Sequence, residues 1–452
     1  MANRDELLAR AHDYDAEAMR LHPLYRGKIG MTAKCPVRDL ADFSVWYTPG
    51  VAAPCRAIAQ DPRLVYEYTN RANTVAIVTD GTRVLGLGDI GPEAGLPVME
   101  GKALLFKYLG GVDAVPLCLG THRADEIVQV VKWIQPSFGG INLEDIAHPK
   151  CFDILDALRA DADVQIPVWH DDQQGTATVL LAGLINALKI VSKELSQVRI
   201  AMFGFGAANV ATLRLLKAYG VDPARLIAVD SKGILHRGRL DIEAEQETFR
   251  HKWAVCLETN GDDRRGGAAE AMRDADVCIA FSKPGPGTIK PQWVQSMAKD
   301  AIVFPCANPV PEIWPWEARE AGARIVGTGR SDFPNQLNNS LGFPAIFRGA
   351  LDVRSSTITD EMCIAAAEEL AQCAEDAGLS EEHIVPSMED VDVFVREAMA
   401  VALKAQEQGV ARKTMPRQEL QQSIRSTIWA AREQVQVLMR EGLIPPIPPT
   451  VS

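Results

Sequence analysis

Two pairs of adjacent acids stand out in the chain: Glu144-Asp145 in GGINLEDIAHP and Asp171-Asp172 in IPVWHDDQQGTA. Each pair directly follows an apolar run, so each fits the end of a strand, where carboxylates from different segments could gather around one cation. Oxygen-only donors suit Mg2+ or Mn2+ rather than zinc. Neighbouring side chains on a strand point to opposite faces, so Glu144 and Asp145 can share an ion only at an irregular turn. A second reading makes these acids helix caps, since Asp171-Asp172 precedes a long apolar helix and acids there favour the helix dipole. The residues alone leave both readings open. His148 and His170 read as polar neighbours, because no two histidines show ligand spacing.

Three other side chains carry acid, base or clamp chemistry. Tyr47, in YTPGVA, sets a phenol beside a rigid turn, and Arg83, in TDGTR, sets a guanidinium among small residues. Lys102, in MEGKALL, is read at the start of an apolar helix with Val98, Leu104 and Leu105 around it. Desolvation, a nearby cation and a helix N-terminus would each lower its pKa towards that of a general base. The alternative is a lysine that snorkels to the surface.

A dinucleotide loop completes the set. Phe203-Gly204-Phe205-Gly206-Ala207-Ala208-Asn209 follows an apolar run and opens a helix. The glycines allow a tight turn and the close approach of a pyrophosphate to helix-end N–H groups. Asn209 stands where the third glycine of that fingerprint is expected. Asp230 ends the next apolar run, where it could accept the adenine ribose hydroxyls. It would also repel a 2′-phosphate, whereas Lys232, after Ser231, could pair with one; the balance leans to NAD and leaves NADP open.

The elements that must position these residues alternate in type. Val75–Gly91 reads as strand, turn, strand, turn; Met99–Leu109 as a helix; VDAVPLCL as a strand; and Ile127–Ile134 as a helix. A second unit opens near Ile166, with a helix over Thr176–Val191, strands at Arg199–Phe203 and Leu226–Asp230, and later apolar runs DVCIAFS, AIVFPCA and RIVGTG. This alternation predicts an α/β fold. The expected division is an N-terminal α/β domain over 1–165, a Rossmann-type doubly wound NAD(P)-binding domain over 166–350, and a C-terminal helical segment over 351–452 packing back on both. The first thirty residues read as a polar helix ending in a loop at His22-Pro23, and the chain closes in the proline-rich IPPIPPTVS.

Composition bounds the partners. A net charge of −12 argues against nucleic acid or an anionic membrane as the main partner, since both need a basic surface. No run of about 18 apolar residues suggests a membrane span. The nine cysteines are an odd, scattered set without C-x-x-C, which fits free thiols in a reducing compartment. A cytoplasmic protein is expected.

Taken together, YTPGVAAPC, TDGTRVLGLGDIG, PVMEGKALLFK, NLEDIAHP, HDDQQGTATV, CANPVPEI and NQLNNSLGFPAIFRGAL resemble the malic enzyme family, compact bacterial type, over about Tyr25 to Ala411. The resemblance implies oxidation of L-malate by NAD or NADP with Mg2+ or Mn2+, and decarboxylation to pyruvate and CO2. It implies Tyr47 as general acid, Lys102 as general base and Asp171 as the acid supporting that lysine. It implies Arg83, Asn308 and Asn339 on the substrate, and Glu144, Asp145 and Asp172 on the metal. Gly204, Gly206, Ala207, Ala208, Asn209, Asp230, Ser231, Lys232 and Thr176 would meet the cofactor. The departures from the family pattern are Asn209 and Ser282-Lys283-Pro284. A homodimer or larger homo-oligomer is implied, with the N-terminal segment at the interface and the acid–base pair completed across subunits. The competing functions are a malolactic-type enzyme, a simple 2-hydroxy-acid dehydrogenase, or a non-enzymatic nucleotide sensor. A sensor would have no need of the full acid, base and metal set.

Overall fold

The computed structural model describes residues 4–449; the ends of the expected N-terminal helix and of the proline-rich tail lie outside that range. The strands are β1 Thr74–Thr79, β2 Asp113–Cys118, β3 Gly140–Leu143, β4 Val168–His170, β5 Ile200–Phe203, β6 Leu226–Asp230, β7 Gly233–Ile234, β8 Val277–Ala280, β9 Ala301–Pro305 and β10 Ala323–Val326. The longer helices are α1 Arg4–Tyr25, α2 Ala52–Gln60, α3 Pro92–Gly110, α4 Ala124–Ile134, α5 Lys150–Ala160 and α6 Asp171–Val191. They continue with α7 Ala207–Ala218, α8 Arg250–Glu258, α9 Phe343–Asp352, α10 Asp360–Ala377, α11 Val391–Glu407 and α12 Arg417–Arg440.

The strands form two sheets, with orders β2-β1-β3-β4 and β10-β9-β8-β5-β6-β7. All pairings are parallel except β6 with β7. Central strands of parallel sheets are covered on both faces, which is why β1 reads VAIV without alternation and Val75 to Val78 are fully buried. Helix α3 is bounded by its own sequence: Pro92 at the first position, and Gly111 at φ +64 closing the C-terminus. Helix α6, long and apolar enough to cross a membrane, is instead a mostly buried core helix packed on α7 and α10. One continuous apolar core joins Val75 and Ile77 of β1 to Ile200 and Met202 of β5 through α6, α9 and α11.

Four expectations are corrected. Residues 80–91 form turns with a single bridge, Val84 to Gly88, rather than a second strand, because their glycines and Asp80 tie the loop down locally. Helix α1 runs through Pro23 to Tyr25. Helix α6 begins at Asp171 rather than Thr176, so the acid pair forms its first turn. Strand β4, on the far side of the expected boundary at 165, pairs with β3 in the first sheet. All nine cysteines are free thiols.

Candidate active site

Strands β1, β3 and β4 run parallel and end together, and the candidate residues sit just past their C-terminal ends. Strand β3 stops at Leu143, and Asp145 adopts a left-handed backbone with φ +52. That is the irregular turn two adjacent acids need in order to face one point. One carboxylate oxygen from each of Glu144, Asp145 and Asp172 lies within 4.8 Å of the others. The Asp145 N–H donates to Asp172 Oδ2 at 2.9 Å, and His170 Nε2 stands 3.1 Å from the same oxygen. Asp145 Oδ2 is buried without a hydrogen-bond partner. Burial and the neighbouring Asp172 charge push the Asp145 carboxyl up to about 8. A buried oxygen without a donor, facing two further carboxylates, fits a hard divalent cation.

Asp171 and Asp172 do stand in the first turn of α6, where the dipole favours acids, but Asp171 makes no cap hydrogen bond. No side-chain cap closes α6; Asp171 instead bonds Lys102 through Oδ2 and accepts from Trp169 Nε1 at 3.2 Å. Lys102 Nζ also donates to Glu144 Oε1 at 2.6 Å and stands 4.5 Å from the Phe343 ring centroid. Only 8% of the lysine is exposed, which rules out snorkelling. The expected helix-start position and lowered pKa are both corrected. Lys102 lies mid-helix in α3, and although burial alone lowers its pKa, the charges of Asp171, Glu144 and Asp172 outweigh that and hold it above the ordinary value.

The loop after β1 is tied to this centre. Arg83 N–H donates to the Asp145 carbonyl at 3.0 Å, and Thr82 Oγ1 accepts from Ala147 N–H at 3.0 Å. The Arg83 guanidinium remains exposed beside the acids. The Asn308 carbonyl lies 2.3 Å from where a Cβ on Gly86 would stand, so Asn308 meets the same loop from the second sheet. Asn339 reaches the centre over Gly175: a Cβ there would lie 1.8 Å from Asp171 Oδ1 and 3.3 Å from the Asn339 Cβ. A cavity of about 170 Å3 lies beyond Gln173, between Phe152, Arg214 and His251. It belongs to the joint between α5, α7 and α8 rather than to the acid cluster.

Tyr47 is the residue not brought in. It is 70% exposed and, among the described residues, its phenol makes no hydrogen bond to Lys102 or to any other group. The segment around it is exposed too, with Phe43, Val45 and Trp46 beside it and Met31 and Leu40 just before.

The glycine loop has the expected form. Gly204, at φ +80, has no room for a Cβ, which would lie 2.3 Å from the Phe281 carbonyl oxygen. Ala207 and Ala208 open α7, with Thr176 on the neighbouring α6. Asn209 earns its place without a glycine, since its buried amide donates to the carbonyls of Phe203 and Gly204 at 2.8 and 2.7 Å. Ser231 and Lys232 are exposed beyond β6. Ser282, in the second departure, is held by Glu312, which accepts its N–H at 2.7 Å and the Ala307 N–H at 3.0 Å. This buried acid ties the ends of β8 and β9 together. Sequence reading passed over it, although it lies within CANPVPEI. Gly175 was passed over as well, inside HDDQQGTATV.

Sequence profiles match both halves of the chain: the malic enzyme N-terminal domain over residues 26–159 and the malic enzyme NAD binding domain over 173–407. The chain belongs to the malic enzyme family. A bifunctional malic/malolactic enzyme from Bacillus subtilis is 49% identical, covering 90% of this chain and 97% of the relative. An NAD-dependent malic enzyme from Geobacillus stearothermophilus is 50% identical over 86% of this chain and 78% of its own. The crystal structure of Entamoeba histolytica malic enzyme superposes with a TM-score of 0.95 at 46% identity, covering 99% of this chain and 93% of that one. This malic enzyme family member therefore carries both family domains and the family's α/β architecture.

Proposed function

We propose that the chain converts L-malate to pyruvate and CO2 with reduction of NAD or NADP, dependent on Mg2+ or Mn2+. The observation that carries the reading is a buried lysine hydrogen-bonded to two acids, beside three converging carboxylates of which one oxygen has no partner. Glu144, Asp145 and Asp172 would hold the cation, which would supply charge stabilisation for the enolate left by decarboxylation and would offset the carboxylate field on Lys102. The dinucleotide, on the glycine loop after β5, would supply the acceptor for the hydride of malate C2.

The protein's own groups handle the protons. Lys102 Nζ passes one proton to Asp171 Oδ2, its hydrogen-bond partner, and then accepts the proton of the malate 2-hydroxyl. Arg83 neutralises a substrate carboxylate by a bidentate contact. Asn308 and Asn339 hold the substrate by their amides. When the bond to the departing carboxylate breaks, its electron pair stays in the enolate; Tyr47 gives its proton to C3 and is reprotonated by Lys102 with the proton taken from the malate hydroxyl, and Asp171 then returns the first proton to Lys102. Tyr47 acts from a second copy of the chain. Exposed Phe43, Val45 and Trp46 give an apolar face that a homodimer would cover, carrying the phenol to a partner's Lys102. The site of action is the cytoplasm.

The test is an assay of the purified protein with malate, Mn2+ and either cofactor. Pyruvate, CO2 and reduced cofactor in equal amounts are expected. Lactate without net reduced cofactor would favour the malolactic reading that the Bacillus relative's name raises. Oxaloacetate without CO2 would reduce the protein to a simple dehydrogenase, and no metal-dependent turnover would overturn the proposal.

A further inference from the structure

His170 closes β4 and stands against the acid trio without belonging to it. The converging carboxylate oxygens come from Glu144, Asp145 and Asp172. His170 is fully buried, and its Nε2 lies 3.1 Å from Asp172 Oδ2. Among the described residues that nitrogen makes no hydrogen bond of full geometry, and the Asp172 carboxylate is the charged group it faces.

The other ring nitrogen is engaged. Gln173 Nε2 lies 2.7 Å from His170 Nδ1, and the glutamine is itself buried, with 2% exposed. An amide nitrogen only donates, so Nδ1 accepts and the ring carries its hydrogen on Nε2, turned to Asp172. Gln174 holds the backbone of the same residue, its Oε1 accepting the His170 N–H at 3.0 Å. The two glutamines of α6 thus fix both the place of the histidine and the sense of its ring. Asp172 needs such a brace. It stands in the first turn of α6 with 34% of its side chain exposed, so rotation towards solvent is open to it. The Asp145 N–H and the His170 Nε2–H both act on its Oδ2 and keep it turned to the other two acids.

We infer that Gln173 is a positioning residue that sets which cations the acid trio accepts. With its hydrogen on Nε2, His170 steadies Asp172 and has no lone pair to offer an ion there. The ligands are then oxygens alone, the set that suits Mg2+ or Mn2+. Without the Gln173 amide, the ring is free to carry its hydrogen on Nδ1. Nε2 then presents a lone pair beside Asp172, repels the carboxylate, and becomes a donor for an ion that favours imidazole, such as Ni2+. The inference rests on the reading of the trio as a cation site.

The test reads ion binding without turnover. Metal-free protein is titrated with Mn2+, followed by the electron paramagnetic resonance of the free ion, and Ni2+ is then used to displace the bound Mn2+. Gln173→Met removes the amide at similar volume. It should weaken Mn2+ binding by about tenfold, the low end for loss of a group that supports a metal ligand, and should raise the affinity for Ni2+ relative to Mn2+. The same substitution in a His170→Phe background should change neither value, since the glutamine acts through the ring. An unchanged Mn2+ affinity, an equal loss for both ions, or a full loss in the His170→Phe background would overturn the inference. Should the variants not fold, nitrogen-15 spectra of the wild-type chain labelled at its eight histidines decide the matter. Hydrogen on Nε2 of His170 is expected, and hydrogen on Nδ1 would overturn the inference. A wild-type chain that binds no Mn2+ would overturn the cation reading itself.

Discussion

Lys102 and Tyr47 are the two halves of one proposed proton pathway, and the fold treats them in opposite ways. Lys102 sits in the middle of α3, almost fully buried, with Asp171 and Glu144 on its ammonium and the Phe343 ring beside it. Tyr47 sits after a five-residue helix, mostly exposed, among the partly exposed apolar side chains of Phe43, Val45 and Trp46. A buried ammonium tolerates its position only because carboxylates pair with it. An exposed phenol flanked by exposed Phe, Val and Trp is what a surface looks like before a partner covers it. One half of the site is built by a single chain, and the other half is, in the proposed homodimer, supplied by a second copy.

The strongest blow to the finished half is Asp172→Ala. It removes a carboxylate from the proposed cation site and should abolish metal-dependent turnover, with Mn2+ affinity falling in direct titration. Retained activity at unchanged Mn2+ affinity would move the site elsewhere. Next comes Lys102→Ala, for which kcat should fall by about 10²–10⁴, the usual worth of a general base, with a small change in the KM for malate. A large KM effect at normal kcat would make the lysine a binding residue. Gly175→Ala probes the same half indirectly. The new methyl would collide with Asp171, so kcat should fall along with a destabilisation of about 1–3 kcal/mol, read by denaturant unfolding. Wild-type kcat in that variant would mean Asp171 can move away from Lys102 without cost.

The smallest effect separates site acids from other buried acids. Glu397 on α11 is fully buried with both oxygens unpartnered, and burial holds its pKa well above the ordinary 4.5. The folded chain therefore keeps a proton that the unfolded chain releases near that ordinary value. Its contribution to stability is full below that range and is lost as pH rises through the higher folded value. Glu397→Gln should flatten this decline in unfolding curves taken across pH and leave kcat unchanged. An unaltered pH profile would mean another group carries the decline.

The same contrast sets what was legible beforehand. β1, β2, β5 and β6 were readable as short apolar runs bounded by turns, and Glu144, Asp145, Asp171 and Asp172 were readable because acids next to such runs need a reason. The left-handed turn at Asp145, which lets neighbouring acids converge, was recognisable only as a requirement. Gly95 and Pro97 within its first turns hide the true start of α3, so the sequence pattern places Lys102 at a helix start instead of mid-helix. Its pKa direction was missed because three acids from two other segments face it, and sequence separation conceals that. Gly175 and Glu312 act only through what they touch across the fold, and neither sits in a pattern with a chemical meaning of its own. Strand β4 falls across the expected boundary because a strand ending in acids before a long helix fits either sheet.

The most direct measurement mixes two inactive chains. Tyr47→Phe and Lys102→Ala proteins are dissociated together, re-formed at equal concentrations and assayed with malate and Mn2+. If the phenol serves a partner's lysine, half of the dimers are mixed and each has one intact site, so about a quarter of wild-type turnover should return. No recovery, with mixed dimers verified by mass, would contradict the shared site and leave Tyr47 without its assigned role.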